Sequence, residues 1–207
     1  MGRHQESLSS YSNKNTPNKA VEATPLRSVP HLELQAAHAM EIRDDLFRKA
    51  VVHLAGGDQG IISTAEPSFR KWLSEQRVVQ SVADFLFANS LTRSIPVADG
   101  CGSVMTPEDI MTTNSDEESM LADGFIQIGS AMNGDPIVID LTGGDGRVGF
   151  LSHDVLWEPD PPHPREAFAP AAASVGDFFY GMAFDNSFPV DFYAAKGMET
   201  LYEAPAA

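Results

Sequence analysis

Phe125-Ile126-Gln127-Ile128-Gly129, Ile137-Val138-Ile139-Asp140-Leu141 and Arg147-Val148-Gly149-Phe150-Leu151 are three short runs rich in β-branched and aromatic residues. Ser130–Pro136, which holds Asn133-Gly134-Asp135, joins the first run to the second, and Thr142–Gly146, which holds Gly143-Gly144-Asp145-Gly146, joins the second to the third. Both joints are short and made of residues that accept positive φ, as hairpin loops demand. Consecutive parallel strands would need crossovers of about a dozen residues or more. The three runs therefore read as an antiparallel meander over 125–151, with Gly129, Gly134, Asp135, Gly143, Gly144 and Gly146 as turn residues. In the middle run Ile137, Ile139 and Leu141 share one face, and Val138 and Asp140 the other.

On the N-terminal side the pattern is helical. Leu32, Ala36, Met40, Phe47, Ala50, Val51 and Leu54 recur at three- and four-residue steps, which predicts one long amphipathic helix over 31–54, stopped by Gly56-Gly57. Glu66–Glu75, with Pro67 in its first turn, and Val78–Ser90 read as two further helices. Ser94-Ile95-Pro96-Val97 reads as an edge strand, because proline cannot donate within a central ladder. Thr106-Pro107-Glu108-Asp109 opens a brief helix ending near Thr112, with a cap, a first-position proline and acids in the first turn.

Beyond the meander, five prolines in 157–170 predict an extended connector. Ser174-Val175-Gly176-Asp177 is a capping pattern for a helix with the stripe Val175, Phe178, Phe179 and Met182. A weak helical segment follows near Met198–Glu203. Residues 1–30 are polar, without periodicity, and read as a flexible tail. The expected fold class is α+β: a mostly antiparallel sheet flanked by helices, in one domain over 31–207.

The 207 residues carry a formal net charge of −15, and its placement is uneven. Residues 94–207 hold only Arg147, Arg165 and Lys196 against 19 acids, and no Lys or Arg lies between Arg93 and Arg147. This argues against binding nucleic acid or an anionic membrane, both of which need a basic footprint. No apolar run reaches the roughly 20 residues of a membrane span. A located acidic field also attracts a basic protein partner and speeds its association. Two groups stand out as its binding surface: Asp116, Glu117, Glu118 and Asp123 with Asp145, and Trp157, Glu158 and Asp160, where an aromatic anchor sits among acids. The first residues hold no apolar signal segment, and Cys101 is the only cysteine, so the expected compartment is a reducing cytoplasm.

Patterns of chemistry are weak. The Gly143–Gly146 loop lacks the lysine of a phosphate loop and is followed by a strand, and Asp140 with Asp145 does not make a calcium set. His153-Asp154 and His163 fit no compact metal spacing. No base stands beside Cys101 in sequence to make it a nucleophile. The expectation is a non-enzymatic chain with no cofactor and no metal.

The run Gly124–Gly129, then Asn133–Asp140, then Gly146-Arg147-Val148, resembles the SUKH superfamily, whose pattern is aromatic-aliphatic-x-aliphatic-Gly, then Gly-Asp with a strand ending in Asp, then Gly-x-Val. Ser174-Val175-Gly176-Asp177-Phe178 is similar to a later helix of that family, and the likeness extends over about 66–185. Val82–Asn89 looks like the family's opening helix without its proline and double glycine, and the helix over 31–54 is extra. The superfamily includes bacterial immunity proteins and a yeast cell-wall regulator. The resemblance implies an α+β fold and an immunity role, neutralising a cognate nuclease-type toxin through an acidic surface. Two other functions remain open: a regulatory or scaffold module of the same fold, and a small hydrolase or ligand-binding domain with a pocket near His153 and Asp154.

Overall fold

The computed structural model describes residues 42–97, 102–115, 120–142, 146–160 and 162–202, the last five as backbone only. The expected tail over 1–30, the helical stretch over 31–41, and Cys101, Asp116, Glu117, Glu118, Gly143, Gly144 and Asp145 lie outside the described residues. The chain runs through α1 (Asp44–Leu54), β1 (Ile62–Ser63), α2 (Pro67–Glu75), α3 (Gln80–Ala88), β2 (Ser90–Leu91), β3 (Ile95–Val97), β4 (Gly102–Val104) and α4 (Pro107–Ser115). It continues through β5 (Phe125–Ser130), β6 (Pro136–Asp140), β7 (Val148–Leu151), the one-turn α5 (His153–Leu156), β8 (Phe168–Ala172), α6 (Val175–Phe184) and α7 (Phe192–Tyr202).

The meander over 125–151 forms β5, β6 and β7 and sits at the centre of a six-stranded sheet in the order β3-β4-β5-β6-β7-β8, every pair antiparallel. The fold is α+β. Pro96 in β3 and Pro170 in β8 occupy the two edge strands, where a missing N–H breaks no ladder. The expected connector over 157–170 thus gives up its last residues to the sheet, since Ala169 pairs with Phe150 and Pro170 with Gly149. Gly129 is not a turn residue: it lies in β5 at a register irregularity, and a side chain there would press to 2.5 Å from the Ser103 carbonyl of β4.

Ile126, Ile128, Ile137, Ile139 and Phe150 turn to the main core, where they meet Phe47 of α1, Phe85 of α3 and Phe178 and Phe179 of α6. Phe125, Val138 and Leu151 turn to the opposite face and pack with Leu156 of α5 and Phe168 of β8. Ser174 caps α6 in both directions, its hydroxyl accepting from Asp177 N at 3.1 Å and donating to Asp177 Oδ2 at 2.7 Å.

Several helix boundaries differ from the sequence expectation: α7 begins at Phe192 instead of near Met198, α3 is shorter at both ends than Val78–Ser90, and two further differences have a visible cause. Of the helix expected over 31–54, the described part begins late: Ile42 and Arg43 are not helical, Arg43 takes a left-handed φ of 57°, and α1 begins at Asp44. The Ile42 carbonyl instead accepts from Gly176 N at 2.9 Å, so the chain turns there to seat α1 on α6. In α4 the helix runs past Thr112 to Ser115 because buried Asn114 ties it to β5. Its Nδ2 donates to the Gln127 carbonyl at 2.8 Å and its Oδ1 accepts from Gln127 N at 2.9 Å.

Candidate functional site

The two ends of β6 each hold a buried carboxylate. Asp135 precedes the strand and Asp140 closes it, and both are essentially without solvent exposure. Burial alone would favour the neutral acid in each, so the surroundings decide the charge state.

At the first end, Ala131–Asp135 forms the β5–β6 turn, with Gly134 at φ +97° and the Gly134 N–H donating to the Ala131 carbonyl at 3.1 Å. Asp135 Oδ1 accepts from His153 N at 3.0 Å and faces His153 Nδ1 at 2.8 Å. Its Oδ2 accepts from Phe192 N at 3.0 Å and from Asn133 Nδ2 at 2.7 Å. Burial pushes the Asp135 carboxyl up, but these hydrogen bonds outweigh it and hold the group below the ordinary carboxylate range. One carboxylate thus joins the β5–β6 turn, α5 and the start of α7.

Ser152 then caps α5, accepting from Val155 N at 3.3 Å, and the single helical turn sets His153, Asp154 and Trp157 side by side. His153 Nε2 lies 3.0 Å from Asp154 Oδ1, and Tyr193 donates its hydroxyl to Asp154 Oδ2 at 3.1 Å. The Trp157 ring stands edge-on to the His153 ring, centroids 5.4 Å apart. Trp157 is 79% exposed, Met132 on the adjoining turn 70% and Tyr193 55%, the three most exposed large apolar side chains among the described residues. Asp154, which Tyr193 touches, and Glu158 and Asp160, which follow Trp157 in the chain, are exposed. The sequence signalled Trp157, Glu158 and Asp160; it did not signal Met132 and Tyr193, whose only local cue is an apolar residue beside a turn or a helix start.

An Asp–His pair orients a general base when a hydroxyl or thiol stands at the second ring nitrogen. Here that position is taken by Asp154, so both outlets of the ring meet carboxylates and the geometry holds the ring in place. Among the described residues, no group of three or more His, Cys, Asp or Glu is arranged to hold a metal ion.

At the other end, Asp140 Oδ1 accepts from Thr142 N at 2.9 Å and from Thr142 Oγ1 at 2.8 Å. Arg147 Nη2 reaches Oδ2 at 3.2 Å, and Arg165 reaches Oδ1 at 3.2 Å and Oδ2 at 3.3 Å. Burial raises the Asp140 carboxyl, and Arg165 and Thr142 bring it below the ordinary range. Arg165 also donates to the Asp123 carbonyl at 2.9 Å and lies over the Phe125 ring. Asp123, expected on a partner surface, is drawn into this cluster and faces His163 Nε2 at 3.5 Å. Two of the three Lys and Arg residues of 94–207 are therefore spent on one buried acid. Lys196, the third, lies over the Phe192 ring. Glu158 and Asp160, beside Trp157 in the chain, have no ion pair among the described residues.

Compared with family models, with curated proteins and with solved structures, the chain matches none.

The two lowered carboxyls fix the sign of an acid dependence. Each binds a proton less readily folded than unfolded, where an Asp titrates near about 3.9. Their stabilisation is therefore complete above that value and drains away as pH falls through the lowered folded values. Urea midpoints of the parent chain should fall below about pH 4 more steeply than those of Asp140→Asn. Parallel curves would remove Asp140 from this account.

Proposed function

We propose that the chain is a non-enzymatic binding protein of the immunity type, which neutralises a cognate nuclease-type toxin in the cytoplasm by covering its basic surface. The observation that supports this most is the exposed Trp157, Met132 and Tyr193, with Glu158 and Asp160, which form no ion pair among the described residues, following Trp157 in the chain. Large aromatic anchors at the centre of a patch supply most of the energy of a protein interface, and a charged rim supplies rate and selectivity. Nucleases present basic surfaces to phosphate, which an acidic competitor fits. The SUKH-like motif over 124–148 points the same way. Glu158 and Asp160 fit the expected roles of rim acids beside Trp157.

The buried Asp135–His153 pair favours the hydrolase reading, but the carboxylate at His153 Nε2 stands where a nucleophile would have to be. No cofactor is called for. A regulatory module of the same fold would use the same surface with a different basic partner.

The test is calorimetric titration of the purified chain with the toxin encoded in the neighbouring reading frame, at low and at physiological salt. Binding should weaken with salt, and Trp157→Ala should weaken it by about 30-fold or more, the mark of a central anchor. Glu158→Lys with Asp160→Lys should slow association more than it speeds dissociation. Absence of binding at low salt would reject the immunity role for that toxin. Co-expression should restore growth to cells making the toxin.

A further inference from the structure

A second feature shares no residue with the Trp157 surface. Three contacts between α1 and α6 follow one another in the same order along both helices. Gly176 N donates to the Ile42 carbonyl at 2.9 Å, the Phe47 and Phe179 rings meet with centroids 5.1 Å apart, and the His53 and Phe184 rings meet at 4.6 Å. The two helices are therefore parallel, and their C-termini lie side by side. An open cleft of about 490 Å³ sits at that end, lined by the last two residues of α1, by Met182 and Ala183 of α6, and by the loop after α6. Sites for small ligands span roughly 300–1,000 Å³.

Most of the exposed wall is polar, supplied by His53, Asp185, Asn186 and backbone groups. The last four carbonyls of a helix have no partner within it. In α1 the N–H groups of Ala55, Gly56 and Gly57 cover Val51, His53 and Val52, at 2.9, 3.0 and 2.8 Å, and leave the Leu54 carbonyl. In α6 Asp185 N covers Gly181 at 2.9 Å, and the Met182, Ala183 and Phe184 carbonyls meet no backbone N–H among the described residues. Leu54, Met182 and Ala183 all line the cleft. Because the helices are parallel, the negative ends of both dipoles add there. Asp185 Oδ1 accepts from Ser187 Oγ at 2.6 Å and from Ser187 N at 2.9 Å. Those bonds hold the Asp185 carboxyl below its ordinary range, so it is charged at neutral pH. No Lys or Arg lines the cleft. Lys49, on the turn of α1 before His53, lies over the Tyr180 and Phe184 rings, neither of which belongs to the lining.

A carboxylate and two helix C-termini favour a cation, repel an anion and give a neutral molecule no use of their charge. One carboxylate is too few for a calcium site, which gathers several oxygen ligands at close range. The cleft is also far wider than a single ion, and Met182, Phe188 and Val190 add apolar wall to it. We propose that it binds a primary ammonium group carried on a short aliphatic chain, with Asp185 and the carbonyls of the two helix ends as acceptors and Met182 and Val190 beside the methylenes. A free amine and the side chain of a partner's lysine share this chemistry.

Methyl NMR on the full chain at about pH 8, where free imidazole is uncharged, tests this with butylammonium, n-butanol and butyrate as probes. Butylammonium should shift the methyl signals of Leu54, Met182 and Val190 saturably. n-Butanol should bind about fivefold more weakly or worse, and butyrate not at all. Asp185→Asn, whose oxygen can still accept from Ser187, should weaken butylammonium by about five- to tenfold, the share that charge adds to a hydrogen bond. Asp160→Asn removes a charge outside the cleft and should change nothing, which separates the site from general attraction to an acidic chain. Val190→Lys puts a competing ammonium at the cleft and should abolish binding; it decides the matter if Asp185→Asn does not fold. Nα-acetyl-lysine methylamide distinguishes the sources: saturable shifts of the same methyls assign the cleft to a partner's lysine, and their absence where butylammonium binds assigns it to a free amine. Shifts that rise linearly without saturation, equal affinity for n-butanol, or an equal loss in Asp160→Asn would overturn the proposal. So would unchanged binding in Asp185→Asn or in Val190→Lys.

Discussion

Asp135→Ala is expected to cost about 3–5 kcal/mol of folding stability, enough to lower the melting temperature by about 10 °C or more in a chain of this size. The carboxylate accepts four hydrogen bonds, from two backbone N–H groups, the Asn133 amide and the His153 ring. Removing it strands donors that belong to three separate segments, and a buried donor without a partner forfeits its desolvation cost in full. Asp135→Asn is the sharper comparison. It keeps the volume but turns one oxygen into a donor that faces donors, so it should recover less than half of the loss. The location of the damage is also specified. Because Phe192 N is one of the stranded groups, amide exchange at the start of α7 should speed up more than exchange in α2 or α3. Calorimetry and hydrogen exchange read both effects. A loss below about 1 kcal/mol would mean that the turn, α5 and α7 hold together without the carboxylate.

The same residue shows what a linear reading reaches. Asn133-Gly134-Asp135 is legible as a turn, because the conformational needs of a hairpin are local and Gly134 meets them with φ +97°. That Asp135 points inward and collects donors from residues 18 and 57 positions away is a tertiary fact with no local trace. The meander was legible for the same reason that its loops were: period, length and turn chemistry all agree within 27 residues. β4 was not. Gly102-Ser103-Val104 carries little strand preference, and it is a strand because it pairs with Ile95–Val97 on one side and with Gly129 and Ser130 on the other. β8 hid behind its prolines, which exclude a central strand but suit an edge. Trp157, Glu158 and Asp160 were legible as an aromatic among acids; Met132 and Tyr193 join them only through the fold. The acidic field was visible as a count, but not that Arg147 and Arg165, 18 positions apart, both fold back on Asp140.

Gly176→Ala sets local preference against packing, and the two make opposite predictions. Inside a helix, alanine is favoured over glycine by up to about 1 kcal/mol. At position 176, however, a Cβ would overlap the Arg43 carbonyl oxygen and stand 2.5 Å from Arg43 Cβ. The obstacle is mostly backbone, so no rotamer change relieves it, and the Gly176 N–H is already engaged with the Ile42 carbonyl at 2.9 Å. Either α6 or the entry to α1 must move. Those two helices share the edge-on contact of Phe47 and Phe179, centroids 5.1 Å apart, so a displacement is felt in the centre of the core. Overpacking of this kind costs about 1–3 kcal/mol, and after the propensity gain the net loss should be about 1 kcal/mol. Gly197→Ala in α7 is the matched control, because a Cβ there meets nothing within 4 Å. With propensity alone acting, it should raise stability by up to about 1 kcal/mol. Denaturant midpoints at constant slope report both variants on one scale. Opposite signs place the α1–α6 approach at Arg43 and Gly176, whereas a gain in both variants would mean that Ile42 and Arg43 yield freely and that the left-handed turn at Arg43 does not depend on α6.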